Sequence, residues 1–199
     1  MIVTYSFSTI AINVRRWFEI GLEDGVMEHG SRLELRLLEA QPHRGTESAA
    51  QKIVVDTPFW RADIFGRLDR PDRPYSAAHY HPRFSGVEPC ERIWSPKLTN
   101  DAWVWLSEQL SHVEDRLADA GLDPELAVND ADDIRRFVPQ IVQTAQQFSP
   151  ELELSRDEDF ALTKDAASIV RLMISNMHDI DTLNADHVKP WLDFRLIHA

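Results

Sequence analysis

The residues best suited to chemistry in this chain lie between Trp60 and Arg92, where Asp63, His79, His81, Arg83 and Glu88 fall in segments that read as neighbouring β-strands. Alternate side chains of a strand share a face, so His79, His81 and Arg83 are expected on one side of theirs. Two imidazoles placed in this way can converge on one cation. A carboxylate from Asp63 or Glu88 would then complete a three-ligand set with positions left open for substrate. The same residues also suit metal-free acid-base work, in which a histidine held by Asp63 moves a proton while Arg61 or Arg83 stabilises an anion. The plainer alternative pairs Asp63 with an arginine across the ladder and leaves both histidines lining a half-exposed sheet face. The candidate catalytic set is therefore Asp63, His79, His81 and Arg83, and the candidate metal ligands are His79, His81 and Glu88.

The His-x-His pair followed by a glutamate resembles the first motif of a cupin in outline. Six residues separate His81 from Glu88 where that motif has three or four, and no second motif follows, so the chain is not assigned to that family. A divalent metal is the one cofactor these residues suggest, although no spacing requires it. Cys90 lies between Pro89 and Glu91, and a neighbouring carboxylate raises a thiol's pKa rather than activating it. His178, Asp179, Asp181, Asp186 and His187 lack the glycine and terminal glutamate of a calcium loop and read as a solvated connection. No glycine-rich phosphate loop, G-x-S-x-G elbow or C-x-x-C pair occurs, which removes P-loop kinases, dinucleotide oxidoreductases, α/β-hydrolases and zinc ribbons.

Elements must position these groups. Val3, Tyr5 and Phe7 alternate with polar residues as a half-buried strand does, and Leu33, Leu35 and Leu37 alternate with charged ones. The stretch from Ile10 to Leu22 fits either a strand or a helical face. Gln41 to Ser48 reads as a loop, Lys52 to Val55 as a strand, and Trp60 to Leu68 and Ala77 to Phe84 as two more, separated by a segment whose prolines cannot donate to a ladder. So short a connection predicts an antiparallel pair. In an even-sum register Asp63 and Arg61 join His79 and His81 on one face, and a slip of one residue destroys the cluster.

After Pro96 the period becomes helical. Trp103, Leu106, Leu110, Val113 and Leu117 predict a helix from Thr99 to Ala120, and a second stripe predicts one from Ala131 to Phe148, interrupted or restarted by Pro139. Ala166 to Met177 and Trp191 to Ile197 supply further helical stretches. The fold class expected is α+β: an N-terminal antiparallel sheet of about five strands, open or partly closed into a barrel, packed by a C-terminal group of three or four helices. The division falls at residues 1–98, mainly β and carrying the site, and 99–199, helical, within one compact domain.

The 199 residues carry a net charge of -12. Residues 1–98 hold 13 basic and 13 acidic side chains, so all the excess acid belongs to the second half. That half repels phosphate backbones, which makes nucleic acid a poor partner, although Arg61, Arg67, Arg70, Arg73 and Arg83 could form a local basic patch. No apolar run approaches the ~20 residues of a membrane span, Met1 to Val14 lacks the marks of a signal peptide, and the single cysteine forms no internal disulfide. The expectation is a soluble cytoplasmic protein with a ligand-binding or catalytic cleft for a small molecule about the His-x-His strand. Its rival is an acidic interaction module that binds a basic protein and catalyses nothing.

Overall fold

Alternation of apolar and polar side chains builds the sheet. The computed structural model describes residues 2–20, 26–40, 53–70 and 72–151. Five strands, β1 (Ile2–Ser6), β2 (Ile10–Ile20), β3 (Met27–Ala40), β4 (Ile53–Arg67) and β5 (His79–His81), form an antiparallel meander in chain order. Register aligns Val14 with Leu33, Leu33 with Ala62 and Ala62 with Tyr80, so one face of the sheet is a continuous apolar row. Because the side-chain period is two, the next row on the opposite face is polar: Arg15, Arg32, Asp63 and His79.

The sheet is open; among the described residues β1 pairs only with β2, and β5 meets β4 on one side and an isolated bridge from Tyr80 to Ile93 on the other. The barrel alternative is thereby set aside. The described part of the stretch that fitted either period, Ile10–Ile20, is a strand, with Ile10, Ile12 and Val14 fully buried on the apolar face. The two strands expected at Lys52–Val55 and Trp60–Leu68 are one long strand, β4, with register irregularities opposite Leu35 to Leu38. Gly30 in β3 adopts φ +150°, and a side-chain carbon there would run into the carbonyl oxygen of Ile64, so glycine permits the close approach of β3 and β4.

Helices α1 (Pro96–Asn100), α2 (Ala102–Ser111), α3 (Val113–Asp119) and α4 (Ala131–Gln146), with a 3₁₀ turn at Pro124–Ala127, supply the second layer. Leu106, Leu110, Val113, Leu117, Ile134 and Ile141 are buried in one cluster with Ile12, Leu35, Trp60 and Ala62, so strand and helix halves share a single core. Trp105 stacks on Trp60 with ring centroids 6.0 Å apart and meets Tyr80 at 5.2 Å. Asp130, almost fully buried before α4, accepts the backbone N–H groups of Ser8, Thr9 and Ile10 at 2.7 to 2.9 Å and ties the helix to the β1–β2 turn.

The single helix expected from Thr99 to Ala120 is three. Asp101 caps α2, accepting from the Val104 N–H. At His112 the side-chain Nδ1 donates to the Glu108 carbonyl, the oxygen its own backbone N–H would take in an unbroken helix, and that N–H turns to Gln109 instead. This is side-chain competition with the helix ladder, which the apolar stripe survives because Leu110, Val113 and Leu117 stay buried across the break. Pro139 is accommodated inside α4. The helical stretches expected at 166–177 and 191–197, the loop at 41–48 and the acidic connection at 178–187 lie outside the described residues.

Candidate functional site

Three strands bring the polar cluster together. Asp63 and Arg61 project from β4, His79 and His81 from β5 and Arg32 from β3, with Arg32 opposite Asp63, Asp63 opposite His79 and Arg61 opposite His81. The register is the even-sum one, and all five side chains share a face. That face is covered. Beyond β5 the chain forms a short hairpin, Phe84–Ser85 with Glu88–Pro89, and returns so that the Cys90 carbonyl meets His81, the Trp94 ring lies 5.2 Å from His79, and Arg92 bonds Glu19 and Glu28. Asp63 and His79 are fully buried and His81 nearly so.

Asp63 is the centre of the charge arrangement. Arg32 grips both oxygens, Nε to Oδ1 at 2.6 Å and Nη2 to Oδ2 at 3.2 Å, while Arg61 Nε stands 3.0 Å from Oδ2. Burial alone would push this carboxyl up. Arg32, the neighbouring His79 imidazole and Arg61 together outweigh it and hold the group ionised, well below the usual carboxylate range. Arg32 also reaches Glu19, and its guanidinium lies 4.2 Å from the ring of Trp17, which Arg15 approaches at 4.3 Å. Glu34 receives Arg36 at 2.8 Å and Arg15 at 3.7 Å.

The two imidazoles are oriented from behind. His79 Nδ1 lies 2.8 Å from the Ala77 carbonyl and His81 Nδ1 2.5 Å from that of Cys90, so each Nδ1 carries the proton and donates it to backbone. Both Nε2 atoms face Asp63 Oδ2, from distances of 3.3 Å for His79 and 3.7 Å for His81. Burial, and then the positive charge of Arg61, push the His81 pKa down to about 4, which keeps that ring neutral at physiological pH. Arg61 Nη2 donates to His81 Nε2 at 3.0 Å. His79 Nε2 is buried and has no hydrogen-bond partner among the described residues. The ligand atoms of Asp63, His79 and His81 lie within 4.8 Å of one another.

Of the residues singled out in the sequence, Asp63, His79 and His81 are brought together, and Arg61 with them. Arg83 is not: β5 ends at His81 ahead of Pro82, and Arg83 is exposed at the start of the hairpin. Glu88 is exposed on the far strand of that hairpin, outside the group of converging ligand atoms. Arg32 is the member that sequence reading missed. Its signal was present, since Arg32, Glu34 and Arg36 alternate with the three leucines of β3, but nothing local distinguished a buried charged face from a solvated one.

No protein-family model matches the sequence, and no curated protein or solved structure matches it either. Among the described residues no helix is long and apolar enough to cross a membrane.

Proposed function

We propose that this is a metal-binding protein, in which Asp63, His79 and His81 hold a divalent transition-metal ion. The observation that carries the reading is the orientation of the imidazoles. Each Nδ1–H is spent on a backbone carbonyl, which fixes the tautomer and presents Nε2 to a common point beside one carboxylate, the arrangement in which histidine ligands are held at metal sites. His79 adds to it, because its Nε2 is buried with no hydrogen-bond partner among the described residues, which is costly unless the atom is given one. Two nitrogens and one carboxylate oxygen suit zinc or iron(II) better than calcium or magnesium, which take oxygen.

Burial argues in the same direction. A proton-transfer site acting on a sizeable substrate needs a cleft, whereas Asp63 and His79 have no solvent exposure and an ion needs only a small cage. To admit the ion, Arg61 must release His81 Nε2. Its guanidinium is the most accessible of the cluster, 13% exposed, and lies 5.8 Å from the Phe84 ring. A bound metal would supply Lewis acidity at coordination positions that three protein ligands leave open. Arg61, once displaced, would favour an anionic group next to it.

The test is elemental analysis of untagged protein, loaded with zinc or iron(II) and desalted. Near-stoichiometric metal that is lost in the His79→Ala/His81→Ala variant is expected, together with cobalt(II) absorption bands of a nitrogen-containing site. Less than about one-tenth of an equivalent in the wild-type protein, or full retention in that variant, would remove the reading.

A further inference from the structure

A second polar site stands apart from the sheet cluster, at the connection between β4 and β5. Its sequence repeats arginine every third residue, Arg67, Arg70 and Arg73, with Ser76 in phase. The backbone follows the same period: the N–H of Arg70 bonds the Arg67 carbonyl at 3.1 Å, Arg73 bonds Arg70 at 3.0 Å, and Ser76 bonds Arg73 at 3.0 Å. Consecutive three-residue turns of this kind place side chains i and i+3 on the same side. All four residues accordingly line one cleft of about 690 Å³, closed on its other side by Thr99 and Asn100 of α1.

The three arginines of this cleft are held to different degrees. Arg67 is committed to Asp69 through two hydrogen bonds at 2.7 and 2.9 Å. Arg70 forms no ion pair or hydrogen bond through its side chain among the described residues, and Arg73 has only Asp72 at 3.8 Å, with both side chains at least 70% exposed. An exposed pair at that separation contributes little and is readily exchanged. Ser76 Oγ accepts the Arg67 N–H at 3.2 Å and so keeps its own proton for another acceptor. In a chain of net charge -12, a concave site lined by three arginines against the single carboxylate of Asp72, with a hydroxyl donor and an amide, is a local positive island.

We infer that this cleft binds a small phosphorylated molecule. Guanidinium forks match the oxygens of a phosphate in pairs, which a carboxylate offers only once and a halide not at all. The volume falls within the range of small-molecule sites. A nucleic-acid strand would have to run past the acidic helical half, which repels its backbone, so a compact ligand fits the charge distribution where a polymer does not.

The probe is inorganic pyrophosphate, titrated into the full chain by calorimetry at fixed ionic strength. Saturable binding with a dissociation constant of about 1 mM or tighter is expected. The Arg70→Gln/Arg73→Gln variant should lose at least about tenfold in affinity, since it removes two charge-assisted contacts. These side chains are exposed, so the variant should keep the wild-type melting curve. Arg83→Gln, an exposed arginine outside the cleft, should bind as the wild type does. Absence of saturation, equal affinity in the cleft variant and in Arg83→Gln, or tighter binding of a single-stranded oligonucleotide than of pyrophosphate would each overturn the inference.

Discussion

Replacing Asp63 with asparagine changes one buried atom and leaves Arg32, Arg61, His79 and His81 facing it. In the native protein the carboxylate has no solvent exposure, receives Arg32 at 2.6 and 3.2 Å and lies 3.0 Å from Arg61. The amide keeps one oxygen acceptor, but the negative charge that compensated a guanidinium only 5% exposed is gone. Removing one partner of a buried ion pair costs about 3 to 5 kcal/mol, chiefly because the surviving charge stays desolvated. Asp69→Asn is the matched control. Asp69 also holds an arginine by two hydrogen bonds, at 2.9 and 2.7 Å, but it is 59% exposed, so water replaces the lost charge and the unfolding midpoint should not move measurably. Urea unfolding in the presence of a chelator, followed by tryptophan fluorescence and far-UV circular dichroism, reads both. Asp63→Asn should lower the midpoint by roughly 1 to 3 M at unchanged slope, taking about a fifth or more of a stability of about 5 to 15 kcal/mol. A loss below about 1 kcal/mol, or one equal to that of Asp69→Asn, would refute the reasoning that burial makes this carboxylate matter.

Two further outcomes are expected. Leu110→Ala truncates a fully buried side chain between α2 and the sheet and should cost about 2 to 5 kcal/mol in the same titration; a change under about 0.5 kcal/mol would show that the helical stripe is not packed. His81 has its pKa lowered in the folded protein from the ordinary 6.5 to about 4, so the unfolded chain takes up the proton first. Its contribution is therefore complete above pH 6.5 and is lost as the pH falls toward 4, and metal-free wild-type protein should lose more stability across that window than His81→Gln does. Parallel curves for the two proteins would mean that His81 titrates alike in both states.

Legibility from sequence followed the distance over which each contact is made. The period of two within a strand put His79 and His81 on one face whatever the rest of the chain did, and the three-four spacing of Leu106, Leu110, Val113 and Leu117 marked a buried helical stripe. The same period could not settle Ile10 to Leu22, whose apolar residues satisfied both templates; β3 beside Ile10–Ile20, with Val14 facing Leu33, decided that part for a strand. His112 shows the limit for helices: its donor to Glu108 is local, but whether an imidazole or the backbone takes that carbonyl is decided by geometry that a residue list does not contain.

The site depended on more than its own strands. Asp63 meets His79 only because β4 and β5 adopt one register of the two parities open to them, and Arg32 reaches Asp63 from 31 residues away because β3 lies next to β4. Sequence determined which chemistry each side chain could offer and which neighbours within a strand it shared a face with. Tertiary structure decided that the polar face would be buried. The returning hairpin and Trp94 cover it, which commits each imidazole Nδ1 to a backbone carbonyl, while Arg32 and Arg61 outweigh the same burial and keep the Asp63 carboxylate ionised. Arg83, two residues from His81 and expected on its face by parity, was lost to the cluster because the strand stops before Pro82, whose nitrogen has no hydrogen to give to a ladder.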